Sequence, residues 1–283
     1  MSFQKLADLG AAISETNQHN KHLSLSVSKE LFCVSILDVL NGQYDHFKVF
    51  KSNASSYAEQ VVEINNLLSS EDLSKFEFKS VSGSLIVKGN TLVPKALFHK
   101  EKVKEFHDFS LINVNVAPTY DFLTNLNAYN IYGVVPELEE VMLKFFPSIK
   151  LMHYSSILIE SFLTVNSNNS NDVVYVTVFD SFFDLTLLRE GNLLLNNSFK
   201  YQTVEDIAYY LLFVCKELSV ELDKISISVF GNKTLTDQLK TLIDDYVLEI
   251  NTQSIVTDVE VDQVISENLV NEFPELFNQY RCV

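Results

Sequence analysis

The stretch VVYVTVFDSFFDLTLLREGNLLLNNSF, residues 173 to 199, contains three apolar runs separated by two short polar stretches. Asp180-Ser181 follows the first run and Glu190-Gly191 follows the second, and residues of these types favour tight turns. We therefore predict strands at residues 173 to 179, 183 to 189 and 193 to 199, paired as an antiparallel meander. The next segment, residues 203 to 218, predicts a helix opened by a T-x-x-D cap.

The same order of elements occurs earlier in the chain. Three strands are predicted at residues 23 to 28, 31 to 39 and 44 to 50, with a turn at Asn41-Gly42, and a helix at 56 to 68. Ser55 or Ser56 is placed to cap that helix. Matching Gly42 to Gly191 gives an offset of 191 − 42 = 149, which also places Phe50 over Phe199. This self-similarity predicts a duplicated structural unit.

The second copy continues with a predicted strand at residues 224 to 232 and a helix at 234 to 247. The polar linker NSNNSND, residues 166 to 172, separates the two copies. We therefore expect two lobes. Residues 1–165 form the first, with an inserted subdomain, and residues 166–283 form the second.

Composition limits the class of protein. The chain has 283 residues, 47% of them hydrophobic, which is enough for a large core. It contains no apolar run of the ~18 residues that span a bilayer, and its N-terminus lacks the pattern of a secretory signal. We therefore expect a cytoplasmic protein without membrane insertion. Cys33 and Cys215 are expected to be buried thiols, since the three cysteines form neither a disulfide framework nor a metal motif.

The net charge of −16 bears on possible partners. Proteins that bind nucleic acid derive most of their affinity from Lys and Arg at phosphates. Because acidic residues outnumber basic ones 37 to 21, we expect no direct binding of nucleic acid. The segment FHKEKVKEF, residues 98 to 106, is locally basic but is better explained as an amphipathic helix with a solvated face.

The repeated unit resembles that of a known superfamily. A duplicated β-β-β-α-β-α unit is the plan of the actin-like ATPases, which include actin, sugar kinases and Hsp70 chaperones. Residues 173 to 218 resemble their second phosphate-binding hairpin and helix, and ISISVFGNKTLTDQL, residues 225 to 239, resembles their adenosine-binding strand, turn and helix. Within that group, NTLVPKALFHKEKVKEF, residues 90 to 106, and the overall order are similar to the DUF3822 family of Bacteroidetes.

The resemblance implies an α/β fold: a duplicated actin-like ATPase (ribonuclease H-like) fold whose two lobes each contain a mixed sheet flanked by helices. It also implies a nucleotide cleft. The candidate remnants of that cleft are Ser28, Lys29, Asp180, Ser181, Asp184, Gly231 and Asn232.

These positions depart from the pattern of active members, which place glycines in both hairpin turns so that backbone N–H groups approach phosphate oxygens. Phe182 and Phe183 stand where glycines are expected, and the first turn has Glu30 nearby and no Asp to orient hydrated Mg²⁺. The seven glycines build neither G-x-G-x-x-G nor G-x-x-x-x-G-K. Asp180 and Asp184 are either survivors of a Mg²⁺ site or, the favoured interpretation, a turn residue and an outward strand residue. We predict no catalytic residue and no metal site.

Two functions remain open from the sequence. The favoured one is a non-catalytic scaffold that binds another protein, without a cofactor, with its interlobe cleft partly filled by side chains. The alternative is an ATP-binding ATPase or kinase with a divergent phosphate site, which would require ATP and Mg²⁺. Docking on membrane proteins, as actin-like subunits of type II secretion and type IV pilus machines do, is less favoured because no amphipathic anchor is present. Given the acidic balance, the expected partner is a protein with a basic docking face.

Overall fold

The computed structural model describes residues 3–10, 18–71, 73–110, 116–251 and 259–283. The strands are β1 (Gln4–Gly10), β2 (Lys21–Val27), β3 (Leu31–Asp38), β4 (Gln43–Lys51), β5 (Ser80–Leu85), β6 (Thr91–Pro94), β7 (Ala117–Leu123), β8 (Ala128–Val134), β9 (Lys150–His153), β10 (Val173–Val178), β11 (Phe182–Arg189), β12 (Asn192–Lys200), β13 (Ser226–Gly231), β14 (Glu249–Asn251) and β15 (Glu260–Val261). The α-helices are α1 (Tyr57–Ser70), α2 (Val103–Ser110), α3 (Pro136–Phe145), α4 (Tyr154–Val165), α5 (Val204–Glu217), α6 (Lys233–Ile243), α7 (Glu267–Glu272) and α8 (Pro274–Asn278).

The chain divides into two compact units. Unit 1 comprises Met1–Leu158, Val256–Ser266 and Glu275–Val283, and unit 2 comprises Ile159–Ile255 and Glu267–Pro274. The boundary predicted from the sequence lies between residues 165 and 166, whereas the observed division falls within α4 and assigns Glu275–Val283 to unit 1. This segment belongs to unit 1 because the Phe277 ring packs on Tyr44 and Phe47 of β4.

Unit 1 is built on a mixed sheet whose described strands run in the order β1-β4-β3-β2-β5-β9, with β15 beside β4. β2, β3 and β4 form the predicted antiparallel meander, and β5 pairs parallel with β2. Leu23, Leu25 and Val27 of β2 join the core formed with α1 and α3. A separate antiparallel sheet, in the order β6-β8-β7, packs with α2.

Unit 2 repeats this plan in its described strands, with the sheet order β12-β11-β10-β13-β14. The predicted meander is β10-β11-β12, and β13 pairs parallel with β10. α5 and α6 contribute Ile207, Leu211 and Leu239 to the core beneath this sheet. Both units therefore contain the three-stranded meander followed by a helix and a parallel strand.

The internal repeat extends to backbone irregularities. A register shift makes Asp45 the extra residue of β4 in its pairing with β3, and a second makes Leu194 the extra residue of β12 in its pairing with β11. These two bulges are related by 194 − 45 = 149, the same offset that relates Gly42 to Gly191. Both glycines have positive φ, 64° and 73°, as a left-handed turn position requires.

Most of the predicted local features are confirmed. Ser56 caps α1 by accepting from the backbone N of Glu59, and Thr203 and Asp206 form the capping box of α5. Cys33 and Cys215 are buried thiols. α6 ends at Ile243, four residues before its predicted end, and a 3₁₀ turn follows it.

Candidate functional site

The first turn that the resemblance assigns to phosphate is residues 28 to 31, between β2 and β3 in unit 1. The Ser28 backbone N donates to the Leu31 carbonyl at 2.9 Å. The Ser28 Oγ accepts from the backbone N of Leu31 at 2.9 Å and from that of Glu30 at 3.2 Å. The amides of Ser28, Glu30 and Leu31 are therefore already bonded to groups of the turn itself.

Helix α1 fixes the same turn from the other side. Gln60 is buried, and its Nε2 donates to the Ser28 carbonyl and, at 3.3 Å, to the Lys29 carbonyl. The Ser52 backbone N donates to the Glu30 carbonyl at 2.7 Å. A pocket of about 310 Å³, including space open to solvent, adjoins the turn. Lys29 supplies a cationic group to a lining that is mostly apolar, with Tyr57 among its residues.

The corresponding turn of unit 2 is residues 179 to 182, between β10 and β11. Its closing bond is the same as in unit 1, from the Phe179 N to the Phe182 carbonyl at 2.9 Å. The rings of Phe179 and Phe182 stack at 4.8 Å, and the Tyr201 hydroxyl donates to the Phe179 carbonyl at 2.6 Å. Asp180 and Ser181 lie exposed at the tip. Aromatic rings thus flank the turn where active members have glycines.

The two phenylalanines of this hairpin lie on opposite faces of β11, as alternate strand residues must. Phe182 is beside the turn, but Phe183 is fully buried against Phe199 and Tyr210. Of the two residues that stand where glycines are expected, only Phe182 therefore lies beside the turn. The favoured interpretation of Asp184 as an outward strand residue is wrong, because this side chain is 3% exposed and accepts from the Ser198 Oγ at 2.6 Å.

The predicted adenosine turn, Gly231-Asn232, joins β13 to α6. Gly231 has a φ of 122°, and a Cβ at this position would lie 2.3 Å from the Val178 carbonyl oxygen of β10. This close approach requires glycine. Asn232 caps α6, since its Oδ1 accepts from the backbone N of Thr234 at 3.0 Å.

Glu272 of α7 is a residue of this region that the sequence interpretation missed. Its Oε1 accepts from the Asn232 Nδ2 at 3.4 Å. Burial raises the pKa of Glu272, the bond from Asn232 opposes that effect, and the negative charge of Asp180 raises it further. Nothing in the local sequence signals this contact, because Glu272 lies 40 residues from Asn232.

The structure thus brings together part of the predicted set. Asp180, Ser181, Gly231 and Asn232 lie at the end of the unit 2 sheet where β10 and β13 finish. Asp184 lies within the sheet, and Ser28 and Lys29 belong to unit 1. In the described ranges, no three His, Cys, Asp or Glu side chains are grouped to hold a metal ion. These residues fit a nucleotide phosphate poorly, because three amides of the unit 1 turn are bonded within the turn and the carboxylates of Asp180 and Glu272 lie at the unit 2 end.

A pair formed by His153 and Ser155 lies in unit 1. The His153 Nε2 donates to the Val87 carbonyl at 2.9 Å, and its Nδ1 lies 2.7 Å from the Ser155 Oγ. Both side chains are buried, and burial lowers the pKa of His153 to about 3. The Nδ1 also accepts from the Ser155 backbone N at 3.2 Å, so this pair stabilises the start of α4.

A family model described as "Protein of unknown function (DUF3822)" matches residues 11–250. The chain belongs to the DUF3822 family. Its structure is similar to that of a Bacteroides thetaiotaomicron protein with actin-like ATPase fold and unknown function, with a TM-score of 0.75 and 23% identity over 85% of this chain and 93% of that one. No curated protein matches the sequence significantly.

Two further solved structures share the architecture. The PilM-PilN type IV pilus biogenesis complex gives a TM-score of 0.62 with 11% identity, over 92% of this chain and 98% of that one. The ethanolamine utilization protein EutJ from Carboxydothermus hydrogenoformans gives 0.50 with 8% identity, over 91% and 89%. These similarities show that the DUF3822 chain has the actin-like ATPase fold. None of its described helices combines the length and apolar character needed to cross a membrane.

Proposed function

We propose that this DUF3822 protein is a non-catalytic scaffold that binds another protein through its surface. The observation that carries the proposal is the occupied turn of unit 1. There the Ser28 hydroxyl accepts from the amides of Glu30 and Leu31, while Gln60 bonds to the turn carbonyls. A phosphate would have to break these bonds before the backbone could bind it, and the loss would reduce its affinity.

The end of unit 2 supports the same proposal through charge. Asp180 lies close enough to Glu272 for its charge to raise the pKa of that side chain. Two carboxylates at this place repel the phosphates of a nucleotide. The aromatic pair Phe179 and Phe182 adds rings where the backbone would need to be accessible.

The net charge of −16 suggests the chemistry of the partner. Complementary potentials accelerate encounter and disfavour wrong partners, so the docking face of the partner should be basic. A protein complex of the same fold has been solved, the PilM-PilN type IV pilus biogenesis complex. The actin-like fold is therefore compatible with a role in protein binding.

The proposal is tested by affinity capture from a cytoplasmic extract at low ionic strength. We expect the bait to retain a basic protein and to release it by ~0.5 M NaCl, where the Debye length is only a few Å. An unrelated globular bait of similar size and net charge serves as the control for non-specific polyanion binding. Retention of nucleic acid alone, or of a partner whose binding does not change with salt, would contradict the proposal.

The second candidate is an ATP-binding ATPase or kinase with a divergent phosphate site. One observation favours it: Asp180, Glu272 and the Asn232 amide lie together at the end of unit 2, where carboxylate oxygens suit a hydrated divalent cation. This second function requires nucleotide binding that depends on both Mg²⁺ and Asp180.

A further inference from the structure

The edges of the described sheets differ in how they are protected. Natural edge strands avoid pairing with other chains by being short or by carrying charges, prolines or bulges. Three edge strands carry charged or proline residues: β1 has Lys5 and Asp8, β6 has Pro94 and β7 has Pro118. Three others are short and also charged: β9 has four residues including Lys150, β14 has three including Glu249, and β15 has two including Glu260.

β12 departs from this pattern. It is the edge strand at one end of the unit 2 sheet, in the part of the chain that the structure describes, and it is nine residues long. Its sequence, NLLLNNSFK, carries no charge before Lys200. The bulge at Leu194 lies near the turn, and residues 195 to 200 continue in unbroken register with β11. Among the described residues this is a long, regular and uncharged edge, although its Ser198 backbone N is bonded to the Asn197 Oδ1 of the same strand at 3.0 Å.

The repeat provides an internal comparison for this edge. The counterpart of β12 in unit 1 is β4, and its outer side is paired with β1 from Gln4 opposite Lys51 to Gly10 opposite His46. In the described part of unit 2, no strand occupies the equivalent place beside β12. The same structural unit thus has an additional strand in one copy and an open edge in the other.

The sequence of β12 is complementary to itself. In an antiparallel pairing centred on Asn197, Leu195 lies opposite Phe199 of a second strand, and Asn196 lies opposite Ser198. Leu195 and Phe199 are only half-buried against the core of unit 2, so this pairing would complete their burial on one face. On the other face, the Asn196 Nδ2 donates to the Thr186 Oγ1 and the Ser198 Oγ donates to the Asp184 Oδ1, so the backbone supplies the bonds between the strands there.

We propose that β12 pairs antiparallel with β12 of a second copy, which makes a twofold dimer with a sheet continuous between the subunits. The partner is a second copy because the residues of β12 match one another in this register. Local neutrality also permits the contact, whereas a net charge of −16 on each copy opposes association at longer range. Dimerisation is therefore expected to strengthen with salt, the opposite of the salt effect expected for a basic partner. The inference does not depend on the proposed scaffold function.

Sedimentation equilibrium over a range of protein concentrations tests the dimer, with Asn197→Asp as the decisive variant. In one copy the Asn197 Oδ1 accepts from the Ser198 backbone N at 3.0 Å, a bond that an Asp oxygen can also accept and that pairing exchanges for a bond between the strands. Two carboxylates would then face each other at the centre of the interface. We expect a reversible wild-type dimer and a dissociation constant raised at least ~10-fold in N197D.

The matched control is Asn171→Asp, which adds the same charge at an exposed position outside β12. We expect N171D to dimerise as wild type does, and both variants to unfold near the wild-type midpoint. Hydrogen exchange of the β12 amides should slow with rising concentration in wild type and in N171D. A chain that is monomeric at all concentrations, or a dimer equally stable in N197D, overturns the proposal.

Discussion

Gln60 illustrates at the residue level how the unit 1 turn is maintained. Its buried amide binds the carbonyls of Ser28 and Lys29, and the helix that positions it begins only three residues earlier, at Tyr57. We expect Gln60→Leu to lower the free energy of unfolding by ~1–3 kcal/mol, because two carbonyls lose a buried donor. Urea unfolding measures this change. Gln202→Leu, at an exposed position, is the matched control and should stay within ~0.5 kcal/mol of wild type. An equal loss in both variants would contradict the assigned role.

Glu275 gives a residue-level prediction about pH. Its carboxyl is buried in unit 1 and accepts from the Ser26 Oγ at 2.8 Å, and burial raises its pKa to about 7. The folded state therefore holds this proton more tightly than the unfolded state does. The stability that results is complete below the ordinary pKa of Glu and is lost as the pH rises through 7.

We therefore expect the Glu275 carboxyl to cost wild type up to ~3 kcal/mol of unfolding free energy as the pH rises from 5 to 8, and we expect Glu275→Gln to abolish this loss. The Gln side chain retains an acceptor oxygen for Ser26. Denaturant unfolding at the two pH values measures the difference, and Glu140→Gln on the exposed side of α3 is the control. A pH dependence in E275Q identical to that of wild type would show that Glu275 is not a buried carboxyl.

The elements show the consequences of duplication, and the two equivalent turn glycines allow a matched test. Both have positive φ, but a Cβ on Gly191 would lie 2.8 Å from the Asn166 carbonyl oxygen, whereas one on Gly42 would have nothing within 4 Å. We expect Gly42→Ala to cost ~1–2 kcal/mol from backbone strain alone and Gly191→Ala to cost more. Thermal unfolding compares the two variants. A greater loss in G42A would contradict the assigned surroundings.

The same elements show which features could be predicted from sequence. Turn glycines, helix caps and apolar alternation act over a few residues, and they predicted both meanders, α1 and α5. β1 was not predicted, because QKLADLG has little strand character and is stabilised by a partner more than 30 residues away. Glu272 and Gln60 were missed as site residues for a similar reason. Their contacts depend on how helices pack, which residue periodicity does not specify.

For the whole molecule, the repeat predicted a duplicated unit and the resemblance to actin-like ATPases implied their fold, which the structural comparisons confirm. The assignment of residues 275–283 was harder, since the sequence of this segment does not show that Phe277 packs on unit 1. The departures from the phosphate pattern were visible in the missing glycines. The sequence did not predict that the Ser28 hydroxyl and the Gln60 amide bond to the backbone of the first turn.

The proposed scaffold function implies that this DUF3822 protein does not bind nucleotide. It is tested most directly by the melting temperature in millimolar MgATP, measured on wild type and on Asp180→Ala. A ligand at 100 times its Kd would add ~2.7 kcal/mol of stability, a shift that is easily detected. We predict no shift in either protein, because amides of the unit 1 turn are bonded to the Ser28 hydroxyl, and aromatic rings and carboxylates lie at the unit 2 turn. A saturable upward shift that requires Mg²⁺ and is lost in D180A would contradict the account.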